Sequence, residues 1–193
     1  CAPFCGGNRR TSLRTACLVA CPHPGLIETL KGSMVAMGKR TLGPWTLEID
    51  PEATRLAYAS AEDITPADGC GCLYCRNYTA ALGRILTPAV RRFFETLGVD
   101  CRKAAQVSHI TKLDSGLHLY SAYYPVIGQI ESGETVIDDV VCCDAIPLDD
   151  HVQYAFVSNV LVNWDASFEG YPLFQLDMSF ELPWVLDEPY DGD

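Results

Sequence analysis

Three cysteines fall within six residues of this chain, in the stretch ADGCGCLYCRNYTAAL that spans residues 67–82. Cys70, Cys72 and Cys75 offer three soft sulfur donors, whereas a structural zinc ion takes four donors in a tetrahedron. A fourth could come from Cys101, from His109 or from the adjacent Cys142 and Cys143, and spacing does not choose among them. Two CxxC pairs at ribbon spacing would be a stronger zinc signature than one pair with an extra cysteine. The same thiols admit a redox reading. Cys72 and Cys75 form a CxxC motif at a predicted helix start, where the positive end of the helix dipole favours the thiolate. A thioredoxin-like motif follows a hydrophobic strand, however, and here the preceding EDITPADGCG reads as a loop. The plainest reading is packing, since cysteine is small, apolar and commonly buried. Packing ranks first, metal second and redox third.

Histidines give a second constellation. A hairpin centred between Asp114 and Ser115 would set His109 opposite Tyr120 and diagonal to His118 on the same face. Two imidazoles beside the Tyr120 hydroxyl could hold a metal or move protons. A register slip of one residue would send them to opposite faces, and a solvated histidine pair is the commoner case. The acidic doublets Asp138-Asp139, Asp149-Asp150 and Asp187-Glu188 do not make dyads, because neighbours on a strand point apart. None has calcium-loop spacing. The chain holds no P-loop, no dinucleotide glycine fingerprint, no H-E-x-x-H and no G-x-S-x-G, so nucleotide and hydrolase chemistry lack a motif.

The elements that would position these residues follow from periodicity. Trp45, Leu47 and Ile49 alternate with polar residues, as in a half-buried strand. Asp50-Pro51-Glu52 then starts a helix running to about Ser60, with Leu56 on its buried side. A second helix is expected from Leu73 to Leu86. Thr87 and Pro88 open a third, whose Val90, Phe93, Phe94 and Leu97 share one face and whose stop is Gly98. From Ala105 the period becomes two, and in FQLDMSFEL the residues Phe174, Leu176, Met178, Phe180 and Leu182 alternate with Gln175, Asp177, Ser179 and Glu181. One wet and one packed face describe an antiparallel sheet. The expected fold is α+β, with two or three helices from the N-terminal half packed on one face of that sheet. Residues 1–36 read as a flexible leader outside the fold, and 37–193 as a single domain. Leu18-Val19-Ala20-Cys21 resembles a lipoprotein cleavage box, but Arg14 breaks the apolar stretch before it.

With 193 residues, 48% hydrophobic and 20% charged, the chain has an ordinary globular composition. No apolar run reaches the ~18 residues of a membrane span, so no membrane partner is expected. The net charge is −11, and from Leu113 onward sixteen acids stand without one Lys or Arg. That half repels phosphate, which excludes nucleic acid from its surface. It suits a basic protein, a hard cation or the arginines of the chain's own first half, with a merely solvated acidic surface as the plainest reading. Ten cysteines in clusters, in a chain of this size, suggest free or metal-bound thiols in a reducing cytoplasm.

The segments LGPWTLEID, CGCLYCRNY, FFETLGVD, HLYSAYYPVIGQI and FELPWVLDE together resemble a family of small bacterial proteins without an assigned activity. Its pattern is C-x-C-x-x-C-[RK]-N, then L-G-[IV]-D, a tyrosine-rich strand and a C-terminal P-W. The resemblance spans about Thr41 to Glu188 and adds Arg76 and Asn77 to the shortlist of Cys70, Cys72 and Cys75. On these grounds the first functional expectation is a non-enzymatic, immunity- or antitoxin-like binding protein whose acidic half meets a basic partner. The alternative is a small zinc-binding or thiol-dependent protein using the three cysteines.

Overall fold

Asp50, Thr65, Cys72 and Thr87 each stand at a helix N-cap in the computed structural model of the chain, which describes residues 37–62, 65–133, 135–137, 140–142, 145–158 and 165–190. The expected leader and the side chains of Asp138, Asp139, Cys142 and Cys143 lie outside the described residues. Helix α1 (Pro51–Ser60) begins where the Asp50 carboxylate accepts the Ala53 N–H at 2.9 Å. Its buried residues are Thr54, Ala57 and Tyr58, an i, i+3, i+4 set. Leu56 lies off that arc and is 59% exposed, contrary to the expected burial. The short α2 (Pro66–Cys70) stands where a loop was expected, because Thr65 and Asp68 cap each other's backbone N–H. Helices α3 (Leu73–Ile85) and α4 (Pro88–Leu97) follow. Val90, Phe93, Phe94 and Leu97 of α4 are all buried, as their spacing requires. Gly98 ends α4 at φ +75°, and a Cβ there would lie 2.0 Å from the Pro51 carbonyl oxygen. Only glycine allows both that conformation and that approach of α4 to α1.

The strands are β1 (Gly38–Leu42), β2 (Trp45–Ile49), β3 (Gln106–Lys112), β4 (His118–Ser132), β5 (Thr135–Ile137), β6 (Val140–Cys142), β7 (Ile146–Asp149), β8 (Val152–Val157) and β9 (Leu173–Leu182). Seven form one antiparallel sheet in the order β1-β2-β4-β9-β8-β7, with β3 also paired to β4; β5 and β6 pair separately. The fold is therefore α+β. No helix among the described residues is long and apolar enough to cross a membrane.

Strand β4 organises this sheet. One edge pairs with β9 from His118↔Leu182 to Ile127↔Leu173. The other edge is shared: β3 covers residues 118–123 and β2 covers residues 128–132. Between them the free edge is met by α1 rather than by a strand. Asp50 N–H donates to the Ile127 carbonyl at 3.0 Å, the Tyr58 hydroxyl donates to the Pro125 carbonyl at 3.1 Å, and Ile127 N–H donates to Thr54 Oγ1 at 3.1 Å. Pro125 has no N–H to offer, and it falls where no strand would receive one.

Tyr120, Tyr124, Phe180, Tyr154 and Phe156 share one face by register. Ring contacts join them to Tyr78 of α3 and to Phe93 and Phe94 of α4. The buried hydroxyls of Tyr78 and Tyr124 meet at 2.7 Å, and Tyr124 donates onward to the Cys101 carbonyl at 2.8 Å. Part of the acidic excess is matched by the first half of the chain, through Lys39–Glu131 at 2.6 Å and Arg76–Glu188 at 2.7 Å.

The opposite face of β9 is less wet than its alternation implies. Gln175 is fully buried and donates to Asp177, and burial raises the Asp177 carboxyl to about 6. Between its ordinary value and about 6, the folded chain holds a proton that the unfolded chain has released, so stability falls as pH rises through this window. We expect Asp177→Asn to flatten that slope and to stabilise the fold near neutral pH by up to ~3 kcal/mol, read by urea denaturation on both sides of the window. Thr54→Val keeps the shape but leaves the Ile127 N–H buried without its acceptor. It should cost ~1–3 kcal/mol in the same assay.

Candidate metal centre

The three cysteines converge because two helices meet at a glycine. Cys70 is the last residue of α2, and Gly71 turns the chain at φ +69° with its N–H on the Ala67 carbonyl. A Cβ at Gly71 would find open room, with Ala67 O at 3.9 Å, so the requirement is the left-handed turn itself. Cys72 is then the N-cap of α3, and its sulfur accepts the Cys75 N–H at 3.5 Å. Cys75 lies one turn into the helix and is buried, while Cys70 and Cys72 are exposed. The three Sγ atoms lie within 4.8 Å of one another. Donors ~2.3 Å from a common tetrahedral centre stand ~3.8 Å apart, so small rotamer changes would bring these sulfurs onto one ion.

Their electrostatics differ. The backbone N–H of Cys72, and next its thiol, hold the Cys70 thiol below its ordinary value. Burial, and then the neighbouring Cys72, push Cys75 well above it. An exposed thiol held below its ordinary value thus sits beside a buried one pushed above it. Closing the three onto a cation would expel the Cys75 proton, which makes metal affinity rise with pH.

Neither of the described fourth-donor candidates joins this set. Cys101 is half-buried, and burial raises its thiol. His109 Nε2 lies 3.0 Å from His118 Nδ1, and the His109 ring stacks on Tyr74 with centroids 4.6 Å apart. The expected hairpin register holds at His109↔Tyr120, and a bulge at Ile110 then shifts it to Lys112↔His118. Both histidines remain on one side. There they meet Tyr120, Trp184 and Tyr190 in an aromatic cluster, with Lys112 5.5 Å from the Tyr190 ring centroid.

Arg76 and Asn77 fasten α3 to the C-terminal segment. Asn77 is fully buried; its Nδ2 donates to Tyr120 Oη at 3.1 Å and to the Pro183 carbonyl at 3.2 Å, and its Oδ1 accepts the Val185 N–H at 2.7 Å. Trp184 Nε1 closes that segment on the Glu188 carbonyl at 2.7 Å. The Tyr120 hydroxyl, its pKa raised by burial to about 12, serves here as the acceptor for Asn77.

Beside the thiols lies a cleft of about 500 Å³, with Cys70 and Cys75 in its wall and Tyr58, Val107, Pro125 and Phe168 among its apolar lining. Lys103 enters it from one side, donating to the carbonyls of Tyr58 and Ala61 at 3.0 and 3.1 Å, and Glu62 and Asp165 add two carboxylates. Nothing in the sequence marked this cleft, since its walls come from five separate stretches.

No protein-family model, no curated protein and no solved structure matches this chain. The likeness to a bacterial family therefore rests on the quoted motifs alone.

Replacing Asn77 by leucine leaves the Val185 N–H and Pro183 carbonyl without their partner. We expect a loss of ~2–4 kcal/mol, with the C-terminal segment cleaved faster in limited proteolysis and Trp184 fluorescence shifted to the red.

Proposed function

We propose that this chain is a zinc-binding protein whose ion is held by Cys70, Cys72 and Cys75. The observation that carries the reading is the convergence of three sulfur atoms within 4.8 Å, from the end of one helix and the first turn of the next. Soft thiolates select zinc, copper(I) or iron–sulfur centres over hard cations, and a single tetrahedral ion suits so compact a set. The Cys72 N–H at Cys70 favours the deprotonated sulfur that a metal needs. An ion there would fasten α2 to α3 and so fix one wall of the neighbouring cleft.

A second reading, thiol chemistry without metal, has its own support in the contrast between the exposed Cys70, its thiol held below its ordinary value, and the buried Cys75, its thiol pushed above it. Elemental analysis of the full chain, purified with a phosphine reductant, separates the two. We expect close to one zinc per chain in the wild type. In Cys70→Ser, whose exposed position spares the fold, affinity should fall by more than the ~10–100-fold typical of losing an outer-shell partner. A chelator should lower the melting temperature of the wild type and leave Cys70→Ser unmoved. A wild type without zinc, and with Cys70 thiols that titrate rapidly, overturns the metal reading in favour of the thiol one.

A further inference from the structure

We infer that the metal centre has an open fourth position, that this position faces the adjoining cleft, and that it takes a small thiol as an exogenous ligand. The inference rests on the proposed zinc site. Among the described residues the converging set holds three sulfurs, and four-coordinate zinc bound by three protein donors keeps one place for a diffusible ligand. Two of the three sulfur residues, Cys70 and Cys75, belong to the wall of the 500 Å³ cleft, so the ion would border a space large enough for a small molecule.

The chemistry of the cleft selects the ligand. Three thiolates make the ion a soft, electron-rich acceptor, which favours a fourth sulfur over an oxygen donor. Tyr58, Val107, Pro125 and Phe168 present apolar surface suited to a carbon body. Glu62 and Asp165 lie in the same cleft, and the Ser167 N–H keeps the Asp165 carboxyl ionised by holding it below its ordinary range. A competing carboxylate ligand meets those negative charges. Lys103, whose ammonium donates to the Tyr58 and Ala61 carbonyls at the end of α1, offsets only one of the two carboxylates, so this charged lining stays net negative.

Cobalt(II) is the probe, loaded into the full chain with a phosphine reductant so that no free thiol is present. Visible cobalt bands with thiolate charge-transfer intensity, lost in Cys70→Ser, report the ion site itself. Adding 2-mercaptoethanol should then raise the charge-transfer intensity by about one third, as the thiol gives its proton to the buffer, displaces a solvent ligand and makes three thiolates four. Acetate at the same concentration should leave the d–d bands and the 2-mercaptoethanol response unchanged. Gln106→Trp narrows the cleft at an exposed position of its lining; it should keep the cobalt bands but weaken the thiol response about fivefold or more. Cobalt bands that ignore 2-mercaptoethanol mean that the chain fills the fourth position, which overturns this inference and leaves the metal reading standing. A shift of the d–d bands by acetate, or its competition with 2-mercaptoethanol at equal concentration, overturns the assignment to thiols. A response unaltered in Gln106→Trp overturns the placement in the cleft. Absence of cobalt bands in the wild type overturns the metal reading and this inference together.

Discussion

Fifteen residues of one strand have to find a partner for every peptide group they bury, and the rest of the fold is arranged around that requirement. Strand β4 meets it on one side with a single partner, β9. On the other side it uses three, with β3 and β2 separated by α1. The helix is thereby held by backbone carbonyls and an amide as well as by Ala57 and Tyr58 in the core. Once α1 is fixed, Gly98 brings the end of α4 onto its start, and Lys103 brings the next loop onto its end. The cleft beside the cysteines is the space left under that loop.

The cysteine site depends on the same framework at one remove. Helix α3 is anchored by Tyr78 in the core and by Asn77 to the C-terminal segment, so its first turn has a fixed place. Cys72 and Cys75 are carried on that turn, whereas Cys70 reaches them through α2, a helix of five residues with no buried side chain. Two sulfurs are therefore held by packing and one by a capping box and a glycine turn. The spacing of the three sulfurs thus depends on α2 as much as on the anchoring of α3.

Much of this was legible in the sequence, for local reasons. Asp50-Pro51, Thr87-Pro88 and Gly98 are capping signals that act within one turn, and the alternation in β9 states which side chains enter the core. The exceptions are places where a distant contact decides. Leu56 looked buried because it is apolar, yet the helix turns Thr54 inward to serve β4. The loop before the cysteines contains α2 because Thr65 and Asp68 cap each other, a pairing easy to miss in so short a helix. The bulge at Ile110 moves the register by one residue without separating His109 from His118. For the site, the three sulfurs could be named from spacing, but their convergence, the cleft and the role of Asn77 required knowledge of which segments meet. Arg76 and Asn77 were flagged by a motif, and the bonds they make to Glu188, Pro183 and Val185 fasten the C-terminal segment to α3.

Pro125 has a consequence beyond its own strand. A central strand with one edge uncovered for several residues is a template on which another chain can add itself. Here the gap is occupied by a helix whose hydroxyls take the place of a partner strand, and the residue in its middle has no amide to lend to an intruder. Local loosening of α1 would thus uncover an edge too short and too poorly equipped to recruit a neighbour. The molecule can tolerate motion of the helix that borders its cleft without inviting self-association through its own sheet.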